Sequence, residues 1–547
     1  MKSSARRLVV LGLALISITR ARAQEFVAPP LQLAPPRRTL AASSRIFVRE
    51  FRFEGNTTFS GRELAKVVAP YTGRELSAEE LEDARRDVTL YYVTHGYINS
   101  GAVLPEQDAR DGTVVLRIIE GQLTGITLTG NRWLRSSYVT DRLQGRVGSP
   151  LNVDRLRDGL QLLRDNPNVE QVNAELRPGA LPGESYLNLR LREQQPFRVG
   201  VQVDNERPPS VGSEEVLLLA TDRNLTGHSD PLDLTYGIAE GGSDRWKASG
   251  SDNIGGSYSI PFTDHDTTFR IYGNRNDFAI IEAAFVNDSV DITSESYRAG
   301  ASLRQPLYQT ANQELAIALT FDRRYSETFG FGQPLDIPGT GSVTGREQVS
   351  AIRFSQEWTG RDQNQVLGLR STMSWGVHLF EITDNGTNRD ARFFSWQGQA
   401  QYVRRLFDTP NQLIVRLQGQ WTDDKLLSLE QFSLGGAESV RGYRENELLL
   451  DRGLEGTVEL RLPVLLNGAG ESIVQFAPFF DFGGGSDVGE PTPHPTTISS
   501  AGIGLLLTPN KHVNAQLYWG HPFANLNDTH NDPQDLGLHF KVSVETF

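Results

Sequence analysis

From residue 197 onward the chain alternates apolar and polar positions in segments of about ten residues. The clearest segment runs from Leu367 to Leu379, with apolar residues at most odd positions and polar residues or glycine at the even positions. Because successive side chains of a β-strand point to opposite faces, each segment predicts a strand with one apolar face. Soluble sandwiches and membrane barrels both show this pattern, so the alternation alone leaves both fold classes open.

The connectors between these segments separate the two fold classes. Tight turns, such as Phe262–Asp266 and Gln309–Asn312, alternate with longer loops, such as Glu327–Gly345 and Leu426–Leu450. Outer-membrane barrels have short turns on one side and long loops on the other, whereas a sandwich has no reason to separate them. The pattern therefore predicts an all-β membrane barrel of 16 antiparallel strands over residues 196–547, with loop 426–450 inserted. The predicted strands start near residues 197, 214, 230, 245, 266, 294, 313, 346, 363, 391, 411, 452, 472, 498, 511 and 536.

Two similar units precede the barrel at a period of about 75 residues, each reading strand, helix, helix, strand, strand. They predict two small α+β domains, residues 45–121 and 122–195. In the first unit Ser77 and Glu80 form a predicted capping box before an apolar stripe. In the second unit Asn152 is the predicted cap. The stripe of the first unit consists of Leu81, Ala84, Val88 and Tyr91, and its last two predicted strands are Tyr97–Leu104 and Thr113–Glu120.

The N-terminal segment predicts export from the cytoplasm. Basic residues precede an apolar run from Leu8 to Ile18, and Ala21-Arg22-Ala23 offers a cleavage site, so residues 1–23 are predicted to be a signal peptide. Residues 24–44 are a predicted proline-rich linker. Removing the signal peptide leaves 49 basic against 67 acidic residues, a net charge of −18, which argues against nucleic-acid binding. The chain has no cysteine and no other run near the roughly 20 residues of a membrane helix, so a secreted protein and an outer-membrane barrel both remain possible.

The loop of residues 426–450 contains a candidate functional motif. Its glycines allow tight turns and present Arg441 at the tip, although an exposed surface loop would also fit the pattern. On the strand Ile473–Gly483 the apolar set Val474, Phe476, Phe480 and Phe482 is predicted to face lipid, so that Asp481 points into the lumen. The predicted loop motif consists of Gly435, Gly436, Val440, Gly442 and Tyr443 around Arg441.

With these motifs, residues 45–547 resemble the TpsB transporters of two-partner secretion, the ShlB/FhaC/HecB haemolysin secretion/activation type. The two α+β repeats resemble POTRA domains. The resemblance is carried by Arg223–Gly227, by Leu434–Gly436 with Val440–Tyr443, by Glu459–Pro463 and by Phe479–Gly483.

The resemblance implies an outer-membrane pore whose periplasmic POTRA domains receive an unfolded partner exoprotein, a TpsA-like adhesin or cytolysin, for export to the surface without nucleotide hydrolysis. It implies that Arg441 pairs with Asp481 in the lumen, with Phe479 and Gly483 completing the wall motif. Several family members carry an N-terminal plug helix, and the proline-rich segment 24–44 predicts none here.

Two further expectations concern energetics and binding. Because water fills a pore lumen, the Arg441–Asp481 pair is expected to contribute only about 1–2 kcal/mol. The passenger is expected to add as a strand to Val169–Arg177, with outer-membrane lipid as the surroundings and a monomer as the assembly. The predicted passenger contacts are Val169, Gln171, Asn173 and Glu175.

Other functions remain as alternatives at this stage. No enzyme motif is present, and His228-Ser229-Asp230 lies in a predicted turn, so we expect no catalysis. The acidic run Asp528–Asp532 lacks calcium-loop spacing, so no metal or cofactor is expected. A barrel-assembly insertase of the same superfamily and a passive porin remain the two alternatives. Two POTRA repeats are fewer than insertases usually carry and more than a porin needs.

Overall fold

The structure is a computed structural model of the 547-residue chain. It describes residues 45–546 except 240–251, 280–291, 338–339, 387, 408, 490, 493, 525 and 527–531. The predicted signal peptide, the proline-rich linker and the question of a plug helix lie outside the described residues. The predicted strand start near residue 245 also lies outside them.

The first α+β domain packs two helices against a mixed sheet. Its sheet has the order β2-β5-β4, with β2 parallel and β4 antiparallel to β5, and β1 pairs with β3 at its side. Both helices begin at serine capping boxes, Ser60 with Glu63 and, as predicted, Ser77 with Glu80. The elements are β1 (Ile46–Val48), β2 (Glu50–Glu54), α1 (Gly61–Val67), β3 (Arg74–Leu76), α2 (Ala78–Thr94), β4 (Gly101–Val103) and β5 (Thr113–Ile119).

Two details of this domain differ from the sequence prediction. Tyr92 rather than Tyr91 is the deeply buried aromatic of α2, because it follows Val88 at i+4 on the core face. Tyr91 packs against Phe59 instead, with ring centroids 4.9 Å apart. The predicted strand Tyr97–Leu104 shortens to β4, because residue 97 turns inward to join the same aromatic cluster.

The second α+β domain repeats this plan with a longer edge strand. Its sheet has the order β6-β8-β7, and Asn152 caps α4 by accepting from the backbone N–H groups of Asp154 and Arg155. The sheet and helices enclose a core that includes Leu143, Leu156 and Leu189. The elements are β6 (Gln122–Thr129), α3 (Ser136–Val147), α4 (Val153–Arg164), β7 (Val169–Pro178) and β8 (Glu184–Glu193).

The rest of the described chain forms a closed antiparallel barrel of 16 strands and the two-residue β16, as predicted, with β27 pairing back onto β9. Short β21 and β22 form a separate hairpin. The elements are β9 (Phe197–Asp204), β10 (Glu215–Asp222), β11 (Leu232–Ala239), β12 (Asp252–Pro261), β13 (Thr268–Ala279), β14 (Ile292–Gln309), β15 (Gln313–Gly330), β16 (Gln333–Pro334), β17 (Arg346–Arg361), β18 (Gln365–Gly376), β19 (Phe394–Arg405), β20 (Gln412–Thr422), β21 (Phe432–Leu434), β22 (Leu448–Leu450), β23 (Arg452–Leu466), β24 (Ser472–Ser486), β25 (Thr497–Asn510), β26 (Val513–Pro522) and β27 (Leu538–Thr546).

The barrel strands present an apolar outer face. Leu369 and Trp375 on β18 are exposed, as predicted from their alternation, while the intervening Thr372 and Ser374 are buried. The short turns gather at the end that contacts the second α+β domain, and the strand ends that flank the long connectors lie at the other end. In the described part of the chain, no helix has the length and apolar character needed to cross a membrane.

The second α+β domain is fixed to the barrel by charge pairs with the short turns. Arg142 and Arg146 on α3 each contact Asp266 at 2.8 Å, and Arg361 contacts Asp165 at 2.8 Å. A cavity of about 440 Å³ lies between α3, α4 and these turns. The domain therefore lies directly at the turn end of the barrel.

Candidate functional site in the barrel lumen

The connector between β20 and β23 folds into the lumen and brings Arg441 to the barrel wall. Its hairpin of β21 and β22 packs through Phe432, Leu434 and Leu450 with Val440 and Tyr443 in one apolar cluster. Because this cluster is buried against the inner wall, the loop has its own small core and does not rely on polar contacts alone.

Glycines shape the turn that carries Arg441. Gly435 and Gly436 have φ values of 101° and 107°, which side chains other than glycine rarely adopt. Gly442 has φ 96°, and a Cβ there would lie 2.8 Å from the carbonyl oxygen of Gly520. The loop backbone therefore approaches β26 so closely that only glycine fits.

Arg441 and Asp481, which the sequence analysis paired, are in contact. The guanidinium donates from Nε to Asp481 Oδ2 at 2.8 Å and from Nη2 to Oδ1 at 2.9 Å, and the Arg441 backbone N–H donates to Oδ2 at 3.1 Å. This two-pronged arrangement uses the planar fork that distinguishes arginine from lysine. Asp481 lies on the inner face of β24, opposite the exposed Phe480 and Phe482.

Glu459 on β23 is a second acid on the same guanidinium, and the sequence analysis did not assign it this role. Arg441 Nη1 donates to Glu459 Oε2 at 2.5 Å, and Glu459 also accepts from Arg461 Nε at 2.7 Å. The available signal was its alternation with the lipid-facing Val458, which places Glu459 on the inner face. In the sequence, the segment Glu459–Pro463 supported only the resemblance to the transporter family.

Two aromatic rings complete the environment of Arg441. The guanidinium carbon lies 3.6 Å from the ring centroid of Phe479 and 4.6 Å from that of Tyr518. Both rings are buried, and a cation over a desolvated ring face gains about 2 kcal/mol. Phe479 of the predicted wall motif therefore lies against the arginine of the predicted loop motif.

Burial corrects the expected strength of the lumen pair. Arg441 is 1% exposed and Asp481 is 0% exposed, so water does not screen the interaction as the sequence analysis assumed. The apolar loop cluster and the two rings exclude solvent from the pair. Removing one partner of a buried pair costs about 3–5 kcal/mol because an uncompensated charge remains. The assumption that lumen water screens the pair is therefore wrong, and losing Arg441 costs more than losing one partner of a screened pair.

The remaining motif residues support the same contact. The Tyr443 hydroxyl donates to the backbone oxygen of Ser499 at 3.0 Å. A Cβ at Gly483 would lie 2.7 Å from Leu434 and 3.1 Å from Val440, so the glycine of the wall motif leaves space for the loop. The predicted loop and wall residues are thus brought together in one place.

A second charge cluster, which the sequence analysis missed, anchors the base of the loop. Glu430 accepts two bonds from Arg353 Nη2, at 2.8 and 3.0 Å, and Arg353 also contacts the fully buried Asp322 at 3.3 Å. Arg324 lies 3.5 Å from both acids. Strand alternation predicts which residues face the lumen, but it does not predict which strands the loop of residues 426–450 contacts. The sequence therefore carried no signal for this cluster.

The chemistry set aside in the sequence analysis has structural explanations. Ser229 Oγ accepts from Asn168 Nδ2 at 2.8 Å, and His228 Nδ1 lies 2.9 Å from Thr226 Oγ1. Burial opposes ionisation of Asp230, but hydrogen bonds from Tyr258 and from backbone N–H groups outweigh it and lower the Asp230 pKa. Asp532 caps the short helix Pro533–Leu536. Residues 528–531 lie outside the described ranges, within which no cluster of acids and histidines could hold a metal ion.

The predicted passenger contacts lie on β7, an outer strand of the second α+β sheet. Gln171, Asn173 and Glu175 are exposed on its polar face. Val169 is wrongly assigned as a side-chain contact, because its side chain is 4% exposed and lies in the domain core. The opposite face of β7 carries the residues that line an apolar groove of about 290 Å³ against α4, including Val172, Ala174 and Leu176, with Leu156 and Leu160 on the helix.

The comparisons with known proteins agree with this architecture. Residues 183–507 match the family "Haemolysin secretion/activation protein ShlB/FhaC/HecB", and residues 46–121 match "POTRA domain, ShlB-type". The chain is 28% identical over 433 residues to the outer membrane transporter CdiB of Dickeya dadantii (strain 3937), covering 77% of this chain and 74% of that protein.

Two further similarities extend over most of the chain. It is 22% identical to the heme/hemopexin transporter protein HuxB of Haemophilus influenzae (strain 86-028NP), covering 81% of this chain and 77% of that protein. The solved structure of CdiB from Escherichia coli superposes with a TM-score of 0.73 at 22% identity, covering 95% of this chain and 94% of that one.

The two α+β domains, the closed barrel and the inward arginine loop define an outer-membrane transporter of the POTRA-and-barrel class, with its POTRA domains in the periplasm. Since the family match covers more than half of its residues, the chain belongs to the ShlB/FhaC/HecB haemolysin secretion/activation family. It is a transporter of two-partner secretion, which exports a partner exoprotein. Below, POTRA1 denotes the domain of β1–β5 and POTRA2 the domain of β6–β8.

Proposed function

We propose that POTRA2 is the receptor for the partner exoprotein and that an extended segment of this passenger adds as a strand to β7. The observation that carries this proposal is the combination of a long free edge and an adjoining groove. β7 has ten residues, about 33 Å of strand, and among the described strands it pairs only with β8. Within the described residues, no side chain hydrogen-bonds to the main chain of β7 between Gln171 and Arg177.

The groove beside β7 favours a particular passenger pattern. An added strand continues the sheet, so alternate passenger side chains point toward α4 and enter the groove lined by Val172, Ala174 and Leu176. The other side chains point to the polar face beside Asn173 and Glu175. An unfolded segment with alternating apolar and polar residues fits both faces. We therefore assign the export segments of TpsA-like adhesins and cytolysins as the ligands of this receptor.

The lumen contact is proposed to act as a lock between the loop and the barrel wall. Arg441 joins one loop to two strands, through Asp481 on β24 and Glu459 on β23. An unfolded chain that crosses the lumen competes with the loop for this space. The lock therefore favours the closed arrangement at rest, and the passenger shifts the loop toward an open one.

The remaining features of the proposal follow from the family and from the chain itself. The protein acts as a monomer in outer-membrane lipid, catalyses no reaction and holds no cofactor, and export draws on folding of the passenger at the surface. The proposed domain boundaries are residues 45–121, 122–195 and 196–547. A barrel-assembly insertase is the second candidate, because it shares the superfamily and the arginine loop.

A pair of substitutions on neighbouring residues of β7 tests the receptor. Ala174→Glu places a charge in the apolar groove, whereas Asn173→Glu places the same charge on the polar face one residue away. Both positions are exposed, so neither change disturbs the domain core. We expect Ala174→Glu to reduce the passenger in the medium at least about tenfold, since a carboxylate there replaces an apolar contact of the added strand, while Asn173→Glu, on the polar face, retains most export. Equal export by the two variants would remove the groove from the mechanism.

A further inference from the structure

POTRA1 contains the counterpart of the β7 edge, but the main chain of that edge is already occupied. The edge strand is β4, and its central residue Ala102 pairs with Ile118 of β5. The N–H of Ala102 donates to Thr89 Oγ1 at 3.0 Å, and the C=O of Ala102 accepts from Arg85 Nη1 at 3.1 Å. Both partners are side chains of α2, so the outward groups of this residue are bonded to the domain's own helix.

The helix also lies too close to β4 to leave a groove. A Cβ at Gly101 would lie 2.9 Å from Thr89 Cγ2, so the strand approaches α2 more closely than a side chain would allow. Arg85 is held in place by Glu82, whose carboxylate accepts from Arg85 Nε at 2.6 Å. The capping side chains are therefore positioned by the helix itself.

The repeat shows why POTRA2 differs. The two domains align on their helix caps, Ser77 and Asn152, with an offset of 75 residues. With that offset Arg85 corresponds to Leu160, and Thr89 corresponds to Arg164. Leu160 has no group that could bond to a strand, and instead it lines the open groove beside β7. Arg164 also lines this groove, and within the described residues neither Leu160 nor Arg164 hydrogen-bonds to the main chain of β7, so these two positions do not cap the edge in POTRA2.

We propose that Arg85 and Thr89 close the β4 edge of POTRA1 to strand addition and direct the passenger's extended segment to the corresponding edge of POTRA2. The inference rests on the proposed function, in which a passenger strand adds to β7. A strand that paired with β4 would have to displace both side chains from Ala102, exchanging two existing hydrogen bonds for two new ones without net gain. The β4 edge of POTRA1 therefore does not compete for the segment that β7 of POTRA2 receives.

The absence of native cysteine allows a direct test on the full chain, purified in detergent. Two single-cysteine variants, Asn173→Cys on β7 and Val103→Cys on β4, are incubated with a synthetic ten-residue peptide that alternates valine and threonine and carries an activated central cysteine. A third variant adds Arg85→Met and Thr89→Val to Val103→Cys, which removes both capping groups and keeps their apolar stems. A peptide of the same length with three prolines serves as the control probe, because proline lacks the N–H that strand pairing needs.

We expect the disulfide yield at position 103 to be at least about tenfold below that at position 173, and to rise toward it when both caps are removed. Equal yields at the two positions in the chain with intact caps would overturn the closure of POTRA1. A yield at position 103 that stays low without the caps would also overturn it. Failure at position 173, with position 103 reacting only after the caps are removed, would instead overturn the proposed receptor and leave the closure standing.

Discussion

The substitution Arg441→Ala perturbs the lumen lock at its centre. It removes the guanidinium that satisfies Asp481 through two side-chain bonds and Glu459 through a third. Asp481 then remains buried at 0% exposure without its cation, while Glu459, at 1% exposure, keeps only Arg461 as a cation. The apolar cluster of the loop persists, because Arg441 is not part of it.

The magnitude follows from that burial. Breaking a buried ion pair by removing one partner costs about 3–5 kcal/mol. Each 1.4 kcal/mol is a tenfold change in an equilibrium, so the loop's preference for its docked position falls by a factor between about a hundred and several thousand. The 16-stranded ladder does not depend on this contact, and the barrel should therefore stay closed. We expect an intact barrel with sharply reduced export.

The assay compares the exported passenger in the medium with the heat-modifiable barrel in the membrane. Arg441→Lys is the matched variant, because it keeps the charge and loses the planar fork, and its export should lie between the two extremes. Arg461→Ala is the comparison variant, since it removes the second cation on Glu459 and leaves the Arg441–Asp481 pair in place. Normal export by Arg441→Ala would refute the lock and leave Arg441 as a structural residue of the loop.

Three further predictions concern the barrel and the loop. The protein should migrate differently on gels before and after boiling, and identical migration in a soluble fraction would end the barrel assignment. Gly442→Ala should reduce export because φ is 96° there and the added Cβ would lie 2.8 Å from a backbone oxygen. Gly468→Ala is its control and should export normally, because an added Cβ there has no atom within 4 Å. Arg353→Met removes the side chain that donates to both carboxylate oxygens of Glu430, so proteases should cleave the loop faster. The control is Arg370→Met, whose arginine contacts Glu357 on the barrel wall. Equal cleavage of the two variants would argue against the charge cluster at Glu430 as an anchor of the loop.

The sequence predicted the fold well because alternation and connector length are local signals. The alternation of Phe480 and Phe482 with Asp481 is enough to place the acid on the inner wall. The capping box of Ser77 and Glu80 likewise fixes the start of α2 within a few residues. The predictions were wrong where tertiary packing determines which side chain is buried. Tyr92, for example, occupies the core position that the sequence assigned to Tyr91.

The site was predictable only in part, because it joins segments that are distant in the chain. The strand alternation gives the face of Glu459 but not its distance from Arg441, which depends on how deep the loop enters the lumen. The contact of Glu430 with Arg353 spans 77 residues and needs the register of the whole barrel. The burial of the lock depends on the hairpin of β21 and β22, whose cluster excludes water from a lumen that sequence reasoning treats as wet.

Export of a partner exoprotein that the periplasmic domains receive can be measured in cells. The most direct measurement is quantitative mass spectrometry of the surface and medium of cells that lack the chain, complemented either by the full chain or by a version without residues 47–193. We expect one large exoprotein to disappear on deletion, to return with the full chain and not to return with the truncated barrel, although that barrel is present in the membrane. Export restored by the truncated barrel, or a general loss of other outer-membrane proteins on deletion, would contradict this expectation.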